Sequence, residues 1–357
     1  MSNPAQIGSP RNIVGAVVLA VLLLYGYLGT RPAGEAGHPV THPTVRSRAT
    51  PIALPTQPPL GNGIASVRLL IEPDDGKRGL TRPLRGARRT VDLTMYLLTD
   101  HTLIHDLEYA AASGVRVRVI LERRPFSNDA SGISTNQSAY DQLYAAGIPV
   151  RWTSGRYALT HQKTLIVDGA VAYIMTMNWS RSAFTSNREF AIADAEPADV
   201  REAQAIFEAD WRDSTPTLRD PNLFVSPVNS RARLLALLRR ARGDVAVYAE
   251  EVQDPQLEAT LIACARRGVR VQLISNAGDA TNAAGIARLH AGGVHIRLLR
   301  QPYIHAKLVV VDRRWAFVGS ENISSASLDR NRELGVLVTD PVALARLAAT
   351  FDQDWSS

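Results

Sequence analysis

The chain has 357 residues, of which 45% are hydrophobic and 21% charged, so most of it is expected to fold as one large domain or two domains with a buried core. Its single cysteine, Cys264, excludes an intrachain disulfide. The formal net charge of +6 favours an anionic partner, either nucleic acid or an anionic lipid surface, and does not choose between them.

An uncharged apolar run covers residues 13–29, behind a tail of residues 1–12. It is long enough for a short membrane helix and longer than most signal-peptide cores, so it is predicted to be a signal anchor. A cleaved signal peptide, with cleavage near Ala33 or Ala36, is the alternative. Because a very short N-terminal tail usually stays inside the cell, the rest of the chain is predicted to be membrane-anchored on the extracytoplasmic side, or secreted if the run is cleaved.

Residues 30–63 are rich in Pro, Thr, Ala and Gly and show no helical or strand periodicity. This composition predicts an extended tether between the apolar run and the folded part. His38 and His42 stand four residues apart in it, but no helix and no further ligands accompany them. No metal site is therefore predicted in the tether.

Alternating strand and helix patterns follow, in two predicted domains of residues 64–218 and 219–357. In the first domain, strand patterns cover residues 90–98 and 115–121, and helical patterns cover residues 102–114 and 135–147. Each domain closes with a helical pattern, at residues 198–211 and 341–355. Such alternation predicts an α/β fold, with a sheet that carries helices on its faces, built twice.

Two further features of the first domain are possible sites. The loop at residues 122–135 is rich in Pro, Gly, Ser and Asn. Its extra length predicts either a loop that covers a site or a surface loop without a role in the site. His101 and His105 are four residues apart on a predicted helix, without the intervening glutamate of the zinc-protease arrangement. They are therefore predicted to lie on the surface or to serve packing, without a metal.

The octapeptide HQKTLIVD, residues 161–168, recurs 144 residues later as HAKLVVVD, residues 305–312. The same spacing relates Asn178 to Asn322, the tripeptide Asn-Arg-Glu at 187–189 to that at 331–333, and FEADW at 207–211 to FDQDW at 351–355. A match of this extent without an insertion or deletion predicts an internal duplication.

Two copies of the same polar set predict one composite site between the halves. The His and Lys of each octapeptide are two residues apart, so on a strand they project from the same face. Phosphodiester cleavage through a covalent intermediate needs one imidazole that attacks phosphorus and another that protonates the leaving oxygen. The lysines and asparagines can stabilise the charge of five-coordinate phosphorus, and each glutamate can accept a ring N–H and fix the tautomer. No metal or other cofactor is then required.

The doubled H-x-K-x4-D pattern, each copy followed ten residues after its aspartate by an asparagine, resembles the signature of the phospholipase D superfamily. The similarity runs from about residue 65 to the C-terminus. It implies two tandem α/β domains related by pseudo-twofold symmetry, an active site between them, a phosphohistidine intermediate and no metal. It also implies that His161 is the nucleophile and His305 the general acid, whereas Asp168 and Asp312 support the site from a distance.

The predicted site comprises a catalytic set and a supporting set. The catalytic set is His161, Lys163, Asn178, Glu189, His305, Lys307, Asn322 and Glu333, and the supporting set is Asp168, Asp312, Thr176 and Ser320. The family usually has Gly-Ser before x-Asn, as at Gly319, but Met175 stands at the equivalent first-half position. Its bulk predicts an altered first-half phosphate contact. The alternative for each glutamate is a structural role, in which it forms an ion pair with the arginine before it. Trp211 and Trp355 recur at the same spacing, which favours a core role over substrate stacking.

The leading functional hypothesis is a phosphodiesterase that hydrolyses phospholipids at a membrane to phosphatidate and an alcohol. The alternatives are a phosphatidyltransferase of the cardiolipin or phosphatidylserine synthase type, an endonuclease of the same superfamily, and an inactive scaffold. Known cardiolipin synthases generally carry two membrane helices, whereas one is predicted here. Nucleic acid is the less favoured partner, because no basic run interleaved with aromatics stands out. No obligate protein partner is implied, since one chain carries both half-sites and a monomer suffices.

Overall fold

A computed structural model of the chain describes residues 60–125 and 134–357. The predicted anchor at 13–29, nearly all of the tether and most of the loop at 122–135 lie outside the described residues. No helix within the described ranges is both long and apolar enough to cross a membrane. The predicted domain boundaries stay predictions.

The first half forms a sheet with helices on its faces. Its strands are β1 Val67–Glu72, β2 Thr90–Met95, β3 Arg116–Leu121, β4 Val150–Trp152, β5 Lys163–Val167, β6 Val171–Met175 and β7 Asn187–Asp194. Its helices are α1 Arg78–Gly86, α2 His101–Ala112, α3 Gln137–Ala145 and α4 Pro197–Trp211. The sheet order is β1-β7-β6-β5-β2-β3-β4, parallel along β2-β3-β4 and antiparallel elsewhere on this path.

The second half has the same arrangement. Its strands are β8 Leu223–Ser226, β9 Asp244–Ala249, β10 Val252–Gln253, β11 Arg270–Asn276, β12 His295–Leu299, β13 Tyr303–Ile304, β14 Lys307–Val311, β15 Trp315–Gly319, β16 Ile323–Ser324 and β17 Glu333–Val338. Its helices are α5 Ser230–Arg239, α6 Pro255–Arg266, α7 Ala283–Ala291, α8 Ser325–Asp329 and α9 Pro341–Ser356. Its main sheet runs β8-β17-β15-β14-β9-β11-β12, so equivalent strands occupy equivalent places in both sheets.

Matching capping residues explain why helices α2 and α6 begin and end at equivalent points. The side chains of Asp100 and Asp254 accept the backbone N–H three residues ahead and so cap the two helices. Each helix ends just before a glycine at φ +87°, Gly114 or Gly268, where the left-handed conformation is accessible without the strain that a Cβ would cause.

Three hydrophobic clusters form the core, and one of them joins the two halves. One lies between the first sheet and α1, α2 and α3, and another lies between the second sheet and α5, α6 and α7. The third joins the two sheets, with Ile166 and Phe190 on one side and Leu308 and Val310 on the other, and it includes residues of α4 and α9. Because this central cluster is shared, the motif strands β5 and β14 are fixed relative to each other.

Two buried ion pairs cross between the halves. Arg188 binds Asp354 with Nε–Oδ2 at 2.7 Å, and Arg332 binds Asp210 with Nη2–Oδ1 at 2.8 Å. Each arginine comes from one Asn-Arg-Glu tripeptide, and each aspartate comes from the closing helix of the opposite half. These repeated residues therefore lock the halves together.

The last residues of the predicted tether are already part of the fold. Leu60 is buried against the second sheet, and the Gly61 N–H donates to the Pro221 carbonyl at 3.0 Å. Gly63 has a φ of +79°, and its N–H donates to the side chain of Asn222. The described part of the chain thus begins against the second half, before β1.

Candidate active site

Each motif histidine lies immediately before a buried strand. β5 begins at Lys163 and β14 at Lys307, so the histidines precede the strands by two residues instead of lying on them as predicted. The backbone N–H groups of His161 and Gln162 both donate to the Arg332 carbonyl, at 2.9 and 3.0 Å. The second half therefore positions the first histidine.

Each histidine faces a glutamate of the opposite half. His161 Nδ1 lies 3.0 Å from Glu333 Oε2 and 3.2 Å from the Ser320 carbonyl oxygen. His305 Nδ1 lies 2.8 Å from Glu189 Oε1. Because Nδ1 faces a carboxylate in both rings, Nε2 is the nitrogen available for chemistry at phosphorus.

Each glutamate accepts a hydroxyl of its own half, but the two hydroxyls come from positions that the duplication does not relate. Glu189 Oε2 accepts the Thr176 hydroxyl at 2.6 Å, and Glu333 Oε1 accepts the Ser327 hydroxyl at 2.8 Å. The alternative that each glutamate only bridges to the preceding arginine does not fit these contacts, because those arginines bind Asp210 and Asp354. Both glutamates are fully buried, which fixes their carboxylates against the histidine rings.

Burial governs the electrostatics of the first histidine and lysine. Desolvation lowers the pKa of His161, the Glu333 carboxylate opposes that shift, and Lys163 reinforces it. Desolvation together with the positive charge of Lys307 lowers the pKa of Lys163 to about 7, against the charge of Glu333. Burial therefore favours the neutral form of the His161 imidazole.

The predicted lysines and asparagines are all buried. Lys163 Nζ donates to the His161 carbonyl at 2.5 Å, and Lys307 Nζ donates to the His305 carbonyl. The side-chain oxygens of Asn178 and Asn322 are buried with no partner within the described part of the chain. Buried side-chain oxygens without a protein partner are candidates for contact with a polar ligand.

Sequence reasoning missed one pair of site residues, Tyr96 and Glu250. Strand β2 pairs Met95 with Lys163, and β9 pairs Ala249 with Lys307. Tyr96 and Glu250, the residues that follow these strands, therefore occupy equivalent positions in the two halves. Aligning TMY at 94–96 with YAE at 248–250 would have revealed the pair, but it lies upstream of the region of constant spacing.

The missed pair makes the two half-sites chemically different. The Tyr96 ring packs edge-on against the His161 ring at a centroid distance of 4.6 Å. The Glu250 carboxylate instead binds Lys307 Nζ at 2.5 Å and lies 3.6 Å from His305 Nε2. Burial would raise the pKa of Glu250, but the charges of His305 and Lys307 prevail and hold it far below its usual range.

The motif aspartates lie at the far ends of the motif strands. Asp168 Oδ1 accepts the backbone N–H groups of Arg89 and Thr90, at 2.7 and 3.0 Å. Asp312 makes the same contacts with Gly243 and Asp244. Both aspartates have positive φ angles, 56° and 51°. They close the turns at the ends of β5 and β14 that are away from the lysines. These contacts do not involve the histidines or lysines of the motifs.

Met175 lies in the hydrophobic core, and its effect on the first-half phosphate contact stays a prediction. It is fully buried in the cluster between the first sheet and α1, α2 and α3. At the equivalent Gly319, an added Cβ would lie 2.4 Å from the Gly335 Cα and 2.5 Å from Glu321 Oε2. In the first sheet Met175 pairs with Ala191, so the two positions differ in strand packing.

The remaining sequence predictions have simple outcomes. His101 and His105 are exposed on α2, and His105 faces Glu108 at 3.6 Å. Trp211 and Trp355 pack at the edge of the central cluster, in agreement with the predicted core role. No group of three or more His, Cys, Asp or Glu side chains in residues 60–125 and 134–357 is arranged to hold a metal ion.

The chain is similar to known proteins both in sequence and in structure. The human mitochondrial cardiolipin hydrolase is 32% identical over 127 residues, which are 35% of this chain and 50% of that protein. Cardiolipin synthase B of Escherichia coli K12 is 26% identical over 275 residues, 65% of each chain. The chain thus spans about half of the cardiolipin hydrolase and just under two thirds of the synthase.

The structure of phosphatidylserine synthase from Haemophilus influenzae shares the fold, with a TM-score of 0.60 and 14% sequence identity over 83% of this chain and 87% of that one. The family model described as "Cardiolipin synthase, PLD-like domain" matches residues 80–211 and again residues 234–355, once in each half. The chain therefore belongs to the phospholipase D superfamily and contains two PLD-like domains.

Proposed function

We propose that the chain is a phosphodiesterase of the phospholipase D type, which hydrolyses phospholipids to phosphatidate and an alcohol. The observation that carries this proposal is the crossed pairing of two histidines with two glutamates. Each histidine lies beside a buried lysine, and each glutamate comes from the opposite half. The arrangement supplies two imidazoles whose Nδ1 atoms face a carboxylate and two cations for one phosphate, the set that a double displacement at phosphorus requires.

In the proposed reaction, His161 Nε2 attacks phosphorus and a phosphorus–nitrogen bond forms. The bond from phosphorus to the leaving oxygen breaks as His305 Nε2 gives that oxygen its proton. His305, now neutral, takes a proton from water, and the hydroxide oxygen displaces His161 from phosphorus. Lys163 and Lys307 offset the charge that accumulates on the phosphoryl oxygens.

The same intermediate serves a transferase if an alcohol replaces water in the second step. A cardiolipin hydrolase and a cardiolipin synthase are both among the relatives, so they support the hydrolase and transferase alternatives equally. The proposal includes the predicted anchor at residues 13–29, which would hold the site near lipid. The net charge of +6 is the observation that keeps an endonuclease as a third candidate.

Product analysis by phosphorus NMR tests the proposal. The purified chain is incubated with mixed phospholipids, with and without added glycerol, and separately with single-stranded DNA. Phosphatidate is the expected product. A new phospholipid that forms only with the alcohol would replace the hydrolase by the transferase. DNA cleavage without lipid turnover, and with a steep loss of activity as salt rises, would replace both by the endonuclease.

We expect kcat/KM to fall as the pH rises through about 7, because Lys163 loses its charge there. The profile of kcat/KM reports the free enzyme, in which no phosphate stabilises the ammonium group. Lys163→Arg keeps the charge and should move this alkaline limb upward, whereas Lys77→Arg, at the partly exposed Lys77–Asp100 ion pair, should leave it in place. If the arginine variant is inactive, NMR titration of Lys163 in the wild type measures the same pKa. An alkaline limb unchanged in an active Lys163→Arg enzyme would contradict the assignment.

A further inference from the structure

The half-site around His305 carries a negative charge that the half-site around His161 lacks. Glu250 occupies the position equivalent to Tyr96, next to the lysine and histidine of its own motif. Its Oε2 atom lies 2.5 Å from Lys307 Nζ and 3.6 Å from His305 Nε2, the two groups that the proposed mechanism aims at the phosphate and the leaving oxygen. The carboxylate therefore lies on the leaving-group side of phosphorus.

A carboxylate at this place is costly for an anionic substrate. It repels a phosphate diester and competes with it for Lys307, and a neutral residue such as the tyrosine of the other half would avoid both effects. The cost is offset when the substrate brings a positive charge of its own to the same side. The substrate class that fits is thus a phosphodiester whose leaving alcohol carries an ammonium group.

The surroundings of Glu250 suit such a group. Its second oxygen, Oε1, lies 3.5 Å from the hydroxyl of Tyr303, a side chain that is 41% exposed. Tyr303 lies on β13, which pairs with β7 beside Asn187 at the junction of the two halves. An exposed aromatic ring beside a carboxylate combines cation–π attraction with a charge-assisted hydrogen bond, and both favour ammonium over a neutral hydroxyl compound.

We propose that Glu250, with Tyr303, selects phospholipids whose head group carries an ammonium group over those with a neutral polyol head group. This inference rests on the proposed function and names the substrate class of the same site. Polyanionic substrates, which bring a second phosphate close to the first, are disfavoured by the same carboxylate.

The test compares two short-chain lipids, dihexanoyl phosphatidylethanolamine and dihexanoyl phosphatidylglycerol, below their micelle concentrations so that surface binding does not contribute. Released ethanolamine or glycerol gives kcat/KM for each lipid. We expect the wild type to prefer the ethanolamine lipid, and Glu250→Gln to lower that preference about tenfold. The ratio is the decisive readout, because an effect of Glu250 on His305 alone changes both substrates equally.

Two further variants complete the test. Tyr303→Leu changes an exposed side chain and should lower the preference about threefold, so the inference stays testable if Glu250→Gln fails to fold. Glu196→Gln removes the same charge from an exposed position at the start of α4 and should leave the ratio unchanged.

The outcomes separate the inference from the proposed function. Turnover of both lipids without a wild-type preference, or with a preference that Glu250→Gln retains, overturns the inference and leaves the proposed function standing. Absence of turnover of either lipid, with cleavage of a DNA oligonucleotide by the same preparation, overturns both.

Discussion

His161→Ala is expected to lower phospholipid turnover by roughly four orders of magnitude or more, because it removes the proposed nucleophile and with it the covalent intermediate. The superfamily resemblance implies this role for His161, and the surroundings of its ring suit the role. Burial lowers its pKa, and its ring packs against Tyr96, so the neutral form is favoured. His305 instead has the Glu250 carboxylate 3.6 Å from Nε2, so the two imidazoles have different surroundings.

His305→Ala separates the two roles when the leaving group is changed. With a lipid substrate the loss should be large, about 10²- to 10⁴-fold for the missing acid in the first step alone. With a p-nitrophenyl phosphodiester the leaving oxygen needs no proton, so the first step should survive. A burst of p-nitrophenol and a trapped phosphoenzyme are then expected, since the base that activates water is missing. His161→Ala should give neither.

The exposed His101 provides the matched control, and His101→Ala should retain wild-type rates. A burst and a phosphoenzyme in His161→Ala, but not in His305→Ala, would reverse the two assignments. Equal activity of His161→Ala and wild type would exclude a covalent step on this residue. Mass spectrometry of the trapped enzyme locates the phosphorylated histidine directly.

The sequence predicted which residues meet at the site, because they recur at one spacing around two strong motifs. Alternating patterns likewise predicted the α/β class and the position of the closing helices. The sequence did not predict that Glu333 faces His161 while Glu189 faces His305, since both pairings agree with the duplication. The choice depends on how the two sheets dock through their shared hydrophobic cluster, a property of tertiary packing.

Other features could not be predicted from the sequence, each for a different physical reason. Tyr96 and Glu250 are unlike in chemistry, so no repeat of residue type marks them as equivalent. The arginine of each Asn-Arg-Glu tripeptide was considered only as a partner for the adjacent glutamate. A strand turns neighbouring side chains to opposite faces, so Arg188 and Glu189 point apart and the arginine reaches Asp354 in the other half. The catalytic roles themselves stay predictions.

The crossed ion pairs lead to the second large effect, on stability. Asp354→Ala is expected to lower the free energy of unfolding by about 3–5 kcal/mol, because it leaves the Arg188 guanidinium buried without its main partner. The Arg188 side chain is 6% exposed and that of Asp354 is 5% exposed, so water cannot replace the lost carboxylate. The same substitution also removes the acceptor of the Tyr248 hydroxyl at 2.6 Å. Urea unfolding measures the loss.

Asp352→Ala, on the same helix, is the matched control. Asp352 binds Arg313 in a pair whose side chains are 54% and 49% exposed, so its loss should cost at most about 1 kcal/mol. Removing both buried charges, as in Arg188→Met with Asp354→Leu, should recover part of the stability that Asp354→Ala loses, since no charge is then stranded. Equal losses for Asp354→Ala and Asp352→Ala would show that the crossed pair does not hold the halves together, and that the hydrophobic cluster alone sets the geometry of the site.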